Sequence, residues 1–269
     1  MTKLLCCFNN KGGVSKTTIT LNLALWLSKE DNKKVLLIDM DPQANLTSRL
    51  YDPHHNNLTV GDALMNNLDL EDIILKNVLA NYPNIDYIPS NRNLKYLERV
   101  LIAGEEKERA MLNLVARNQE ILSKYDYVFF DLSPNVGIVG MSTLLTCTDL
   151  ILVNQFGNND SLEMINNFLD EYQNESNTLG LDMPNLAILT NFFSNKKNSA
   201  NNMYNEFEEY FNHLKPYMLK NKLNESITIR NTNLYKVSVA DYTRETKCNP
   251  SAMKQMKLII DELKEREVL

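Results

Sequence analysis

The chain has 269 residues, of which 43% are hydrophobic and 23% charged, with a formal net charge of −6. That composition suits a soluble globular protein, and the length suits one large α/β domain spanning 1–269. No run of 18 apolar residues occurs, which excludes a helical membrane span, and with a glycine-rich motif nine residues in, no signal peptide is expected.

The first predicted element is a strand over 3–8, ending in Leu4-Leu5-Cys6-Cys7-Phe8. A helix is predicted over 16–29, opened by the apolar-periodic segment from Ile19. Between them lies Asn9-Asn10-Lys11-Gly12-Gly13-Val14-Ser15-Lys16-Thr17-Thr18. Strand, glycine loop and helix is the context that a phosphate-binding loop needs. The helix N-terminus turns unpaired N–H groups and its positive dipole end towards phosphates. Gly12 and Gly13 let the backbone approach the phosphate oxygens. Lys16 would reach the terminal phosphates, and the Thr17 hydroxyl would ligate Mg²⁺. Asn10 and Ser15 stand where the usual pattern has glycine. A residue with a Cβ at position 15 calls for a negative φ or a slight shift of the loop.

A strand over 34–39 runs into Asp39-Met40-Asp41-Pro42-Gln43-Ala44-Asn45. Carboxylates at the C-terminal end of a buried parallel strand sit where doubly wound sheets bind ligands. A strand over 85–88 follows, then helix over 92–121, broken near Gly104. The strand over 126–131 ends in Asp131-Leu132-Ser133-Pro134, an apolar run into an acid that would hold the Mg²⁺ water shell. Beyond it come helix 139–147, strand 149–153, helix 160–175, strand 185–190 ending before Asn191, helix 199–213, strand 226–229 and helix 251–266. Such alternation implies a mostly parallel sheet with helices on both faces. The four cysteines, Cys6, Cys7, Cys147 and Cys248, lack metal-binding spacing and are expected to be reduced thiols of a cytoplasmic protein.

Lys11-Gly12-Gly13-Val14-Ser15-Lys16-Thr17-Thr18 resembles the deviant Walker A box of the ParA/MinD ATPases. Asp39-x-Asp41-Pro42-Gln43-x-Asn45 resembles the family's second box, and Asp131 its Walker B acid. The resemblance implies a SIMIBI-type P-loop NTPase that binds ATP and Mg²⁺. Nucleotide contacts would come from residues 11 to 18: Lys11, Gly12, Gly13, Val14, Ser15, Lys16, Thr17 and Thr18. It implies that Lys16 acts in its own subunit, while Lys11 crosses to the nucleotide of a partner in an ATP-sandwich homodimer. Asp41 would orient the attacking water; Asp39 would support the loop and the Mg²⁺ shell. Asn191 and the Arg230-Asn231 segment, similar to a late strand and loop of the family, would contact adenine.

Nothing ahead of the loop resembles the helix-turn-helix of larger ParA proteins, so the likeness is to the small, Soj-type class. These bind DNA without regard to sequence and are stimulated by a ParB-like centromere-binding protein. Between 211 and 257, nine lysines and arginines face three acids, so the rest of the chain carries −12. An acidic protein with one basic patch suits a salt-sensitive grip on duplex phosphates. Lys220, Lys222, Arg244 and Lys247 are the expected contacts, and a nucleoid-associated cytoplasmic location follows. The alternative is a MinD-like ATPase positioning a membrane or protein cargo. Against a membrane, the last helix has four basic and four acidic residues over 252–269 and no aromatic residue. An interfacial helix should be basic with bulky apolar residues. Its stripe of Met253, Met256, Ile260 and Leu263 predicts a helix docked on its own domain. An iron protein of the superfamily would need paired central cysteines, a ligase would not need Lys11, and a binding-only relative would not need the full set of lysines and acids.

Overall fold

The computed structural model describes residues 1–50, 57–97, 107–194 and 209–269. Six strands form one parallel sheet: β1 Lys3–Phe8, β2 Val35–Asp39, β3 Ile85–Ile88, β4 Tyr127–Asp131, β5 Asp149–Gln155 and β6 Asn185–Asn191. Their order is β3-β2-β4-β1-β5-β6. In sequence β1 is the first strand, yet it lies inside the sheet; the order reverses around it, as in doubly wound α/β folds. The strands are mostly apolar without strict alternation, and β2 and β4 are buried at every position. Both Cys6 and its neighbour Cys7 are buried, although successive side chains on a strand point to opposite faces, so both faces are covered.

The chain gathers into two compact units, neither continuous in sequence. One comprises residues 1–6 and 19–148. In it β2 pairs with β3 and β4, and β4 with β1, all in parallel. Its helices include most of α1 (Lys16–Lys29), α2 (Asn45–Leu50), α3 (Val60–Asn66), α4 (Ala110–Arg117), α5 (Gln119–Leu122) and α6 (Ile138–Leu144). Thr59 and Asp62 form a reciprocal capping box at the start of α3, which satisfies two N–H groups that the first turn leaves open.

The second unit comprises residues 7–18 and 149–269. There β5 pairs in parallel with β6 along seven residues, from Asp149 against Asn185 to Gln155 against Asn191. Its helices include α7 (Asn159–Leu179), α8 (Ile227–Tyr235), α9 (Val239–Thr246) and α10 (Ser251–Glu265). Helix α10 buries Ala252, Met256, Ile259, Ile260 and Leu263, as the apolar stripe predicts; Met253, expected in that stripe, is half-buried. Glu262 is buried as well. It accepts from the Lys220 and Asn221 N–H groups at 2.9 and 3.0 Å and from Arg266 at 2.8 Å.

One predicted strand is a helix. Residues 226–229 read as β from Ile227-Thr228-Ile229, but Ser226 caps a helix there: its hydroxyl accepts the Thr228 N–H, and left-handed Lys236 ends it. A cap hydrogen bond and the burial of Ile229 and Thr232 outweigh a weak β preference. The predicted helix over 92–121 falls partly outside the described residues, as do Gly104 and 199–208; within its described part, Asn118 ends α4 and begins α5.

Candidate nucleotide-binding site

The loop between β1 and α1 is fixed from beneath by amides. Asn9, buried at the end of β1, donates through Nδ2 to the Val153 carbonyl at 2.8 Å and to the Ser161 hydroxyl at 3.1 Å. Its Oδ1 accepts the Lys11 N–H at 2.8 Å. Asn191, at the end of β6, donates to the Val14 carbonyl at 2.9 Å. Asn233 on α8 donates to the Thr18 hydroxyl at 2.8 Å. Three side chains far apart in sequence thus hold the start and middle of the loop and the first turn of α1.

The lysines take different places. Lys16 is buried, and its Nζ donates to the carbonyls of Asn9 and Lys11, both at 2.9 Å. Lys11 points away from the loop to Asp160 on the first turn of α7, Nζ to Oδ2 3.8 Å. Gly12 and Gly13 are exposed. Gly13 has φ +78°, and so does Ser15. Of the two alternatives expected at Ser15, the negative φ does not occur: the position keeps the left-handed conformation that glycine normally supplies, although it carries a Cβ. This loop fits a polyphosphate. Its glycines are open to solvent, an ammonium is folded across its backbone, and the N-terminus of a 14-residue helix follows.

The acids form a second cluster, on the other compact unit. Asp39 and Asp131 end adjacent strands in register, and both are fully buried. Asp39 Oδ1 accepts the Asp41 N–H at 2.9 Å; Oδ2 accepts the Thr47 N–H at 2.8 Å and the Thr47 hydroxyl at 2.7 Å. Burial pushes its carboxyl up to about 6, against these hydrogen bonds, with repulsion from Asp41 adding to the rise. Asp41 Oδ1 accepts the Gln43 N–H, and Oδ2 the Asn45 amide, both at 2.9 Å. No group of three or more acids, cysteines or histidines able to cage a metal occurs among the described residues. A Mg²⁺ held by the Thr17 hydroxyl, nucleotide phosphates and water needs none.

The remaining predicted residues are less gathered. Arg230 lies on α8, not on a strand end, and its guanidinium pairs with Glu225 at 2.9 Å. Asn231 donates to the Tyr242 hydroxyl at 2.8 Å. Lys220 is exposed; Lys222 lies over the Phe193 ring, 4.8 Å from its centroid. Arg244 and Lys247 are exposed at the end of α9, with Arg244 3.6 Å from Asp241. Sequence reasoning missed Asn9, Asp160, Ser161 and Asn233 around the loop, and Thr47 and Tyr87 around Asp39. The polar Asn9 directly after an apolar strand was the one available signal.

A family model described as an AAA domain (AAA_31) matches residues 2–183. The chain belongs to the ParA/MinD family. An uncharacterized protein of Mycobacterium tuberculosis is 33% identical over 153 residues, 56% of this chain; the chain spans about half the length of that relative, 46%. The sporulation initiation inhibitor protein Soj of Bacillus subtilis is 28% identical over 212 residues, 78% of this chain and 81% of Soj. Among solved structures, Cyanothece apo McdA superposes with a TM-score of 0.82 at 19% identity, covering 98% of this chain and 100% of that one. A putative plasmid partition protein of Borrelia burgdorferi, bound to AMPPNP, gives 0.73 at 24% identity, covering 98% and 99%. Those structures share a fold with nearly all of this chain, well past residue 183 where the family model stops.

Proposed function

We propose that the chain is a DNA-partition ATPase. ATP and Mg²⁺ close a homodimer across two loops, the dimer binds duplex DNA without regard to sequence, and a ParB-like protein accelerates hydrolysis that reopens it. The observation carrying this reading is the loop with two lysines in different places, Lys16 folded into it and Lys11 directed out of it. A phosphate cradle needs one such lysine; the second suits a contact made outside the subunit. Lys16, Mg²⁺ and the helix N-terminus neutralise the phosphates, while Asp41 orients water for in-line attack. Thr17 and Asp131 are the candidates for the Mg²⁺ shell, and Asp39 for its support. Asn191, Arg230 and Asn231 remain the candidates for the adenine edge.

Doubling a basic surface by dimerisation multiplies phosphate contacts, and affinity for DNA depends steeply on their number. Random-sequence duplexes in a gel-shift series test this. Binding is expected with ATP, weak with ADP, and lost as salt rises. Replacing Lys220, Lys222, Arg244 and Lys247 together by Ala should remove it while ATP-dependent dimerisation survives. Binding that persists in that variant, or that follows one sequence, would refute the assignment.

A further inference from the structure

Among the groups around the second box, Thr47 makes the most constrained contacts. Its hydroxyl lies 2.7 Å from Asp39 Oδ2, 2.5 Å from the Tyr87 hydroxyl and 3.0 Å from the Ser90 N–H. One hydroxyl has one hydrogen and two lone pairs. The ionised Asp39 can only accept, so Thr47 gives it the hydrogen. The Ser90 amide can only donate, so it takes one lone pair. Tyr87 must then donate into the other. Every position on the Thr47 oxygen is committed, and each donor direction follows from the one before.

We propose that Thr47 is a positioning residue for the Asp39–Asp41 box. Its hydroxyl clamps Asp39 to the end of β3, through Tyr87 and Ser90, while its own N–H holds the same carboxylate oxygen from the first turn of α2. The other Asp39 oxygen holds the Asp41 N–H. The place of Asp41 is thereby tied to a neighbouring strand, not only to its own turn. The methyl group of Thr47 is incidental to this; the hydroxyl carries it. The catalytic consequence rests on the ATPase reading above, whereas the clamp itself does not.

Two variants separate hydroxyl from shape: Thr47→Val keeps the volume and loses the hydroxyl, and Thr47→Ser does the reverse. Hydrogen exchange followed by mass spectrometry on peptides covering 39–50 and 87–94 reads the clamp without any nucleotide. Thr47→Val should exchange roughly tenfold faster or more in both peptides, because the Ser90 amide and Asp39 lose a partner. Thr47→Ser should match the parent chain. In single-turnover hydrolysis, Thr47→Val should lose about ten- to a hundredfold in rate through misplacement of Asp41, with ATP affinity within a few-fold and Thr47→Ser restored. Unchanged exchange in Thr47→Val, or a Thr47→Ser protein as impaired as Thr47→Val, overturns the clamp. Altered exchange with full hydrolysis overturns its positioning role. A parent chain that hydrolyses no ATP, with exchange responding as expected, overturns the ATPase reading and leaves the clamp standing.

Discussion

Replacing Ser15 by glycine should make the protein more stable. Ser15 holds φ at +78°, where an L-residue suffers a clash between Cβ and backbone that costs about 1–2 kcal/mol. Glycine removes that clash but gains freedom in the unfolded chain, which returns about 0.4–1 kcal/mol. The left-handed backbone also takes Ser15 out of the extended geometry in which a serine caps a helix, so no cap is lost. The mid-points of these ranges leave a net gain of about 0.8 kcal/mol, or roughly 2–3 °C in Tm for a chain of this size. Thermal unfolding followed by circular dichroism, with Ser15→Ala as the control that keeps the Cβ, measures it. Ser15→Ala should leave Tm close to the parent. ATP affinity of Ser15→Gly, from nucleotide titration, should stay within a few-fold, since Gly12 and Gly13 supply the exposed backbone of the cradle. A fall in Tm for the glycine variant, or an equal rise for alanine, would show that the strain is absent. A large gain in ATP affinity would mean that the serine impairs the cradle.

Lys16→Ala should abolish useful ATP binding, whereas Lys11→Ala should keep much of it and lose nucleotide-dependent dimerisation and hydrolysis; light scattering with ATP separates them, and a dimerising, active Lys11→Ala protein would remove the role in trans. Asp41→Ala should bind ATP and dimerise while single-turnover hydrolysis falls by roughly two orders of magnitude or more; a rate near the parent's would take Asp41 out of the chemistry. Burial alone would raise the Glu262 carboxyl, but the Asn221 and Lys220 N–H groups, the Asn221 amide and Arg266 outweigh it and hold it below the usual 4.5. Its ionised form is therefore favoured by folding: that stability is present above pH 4.5 and is lost as pH falls below it. Denaturant titrations at pH 7 and pH 4 should show this loss in the parent and a smaller one in Glu262→Gln, and equal losses would discard the assignment.

Much of the sheet was legible because its strands are continuous apolar runs that end in acids or amides. Strands β1 and β3 match the predicted ranges, and β2, β4, β5 and β6 differ by one or two residues at an end. The loop and both acid boxes were legible as local patterns. What escaped was the support behind them, since hydrogen bonds from Asn9 to Ser161 or Asn191 to Val14 join residues 152 and 177 positions apart. No local window contains both partners. At 226–229 the local signal itself misled: β-branched residues suggested a strand, while one serine hydroxyl set the start of a helix. Ser15 misled in the opposite sense, because the loop imposes on it a backbone that the residue would not choose alone.

The anchoring of the loop also bears on how the chain is made. Residues 7–18 leave the ribosome before the groups that hold them, which arrive with Val153, Ser161, Asn191 and Asn233. At translation rates of roughly 5–20 residues per second, the nascent loop waits on the order of ten seconds for its first anchor. During that interval the Asn9 amide has neither Val153 nor Ser161 to donate to. A fragment ending at residue 183 would contain the whole glycine loop and still lack the amides of Asn191 and Asn233 that hold Val14 and Thr18 in place.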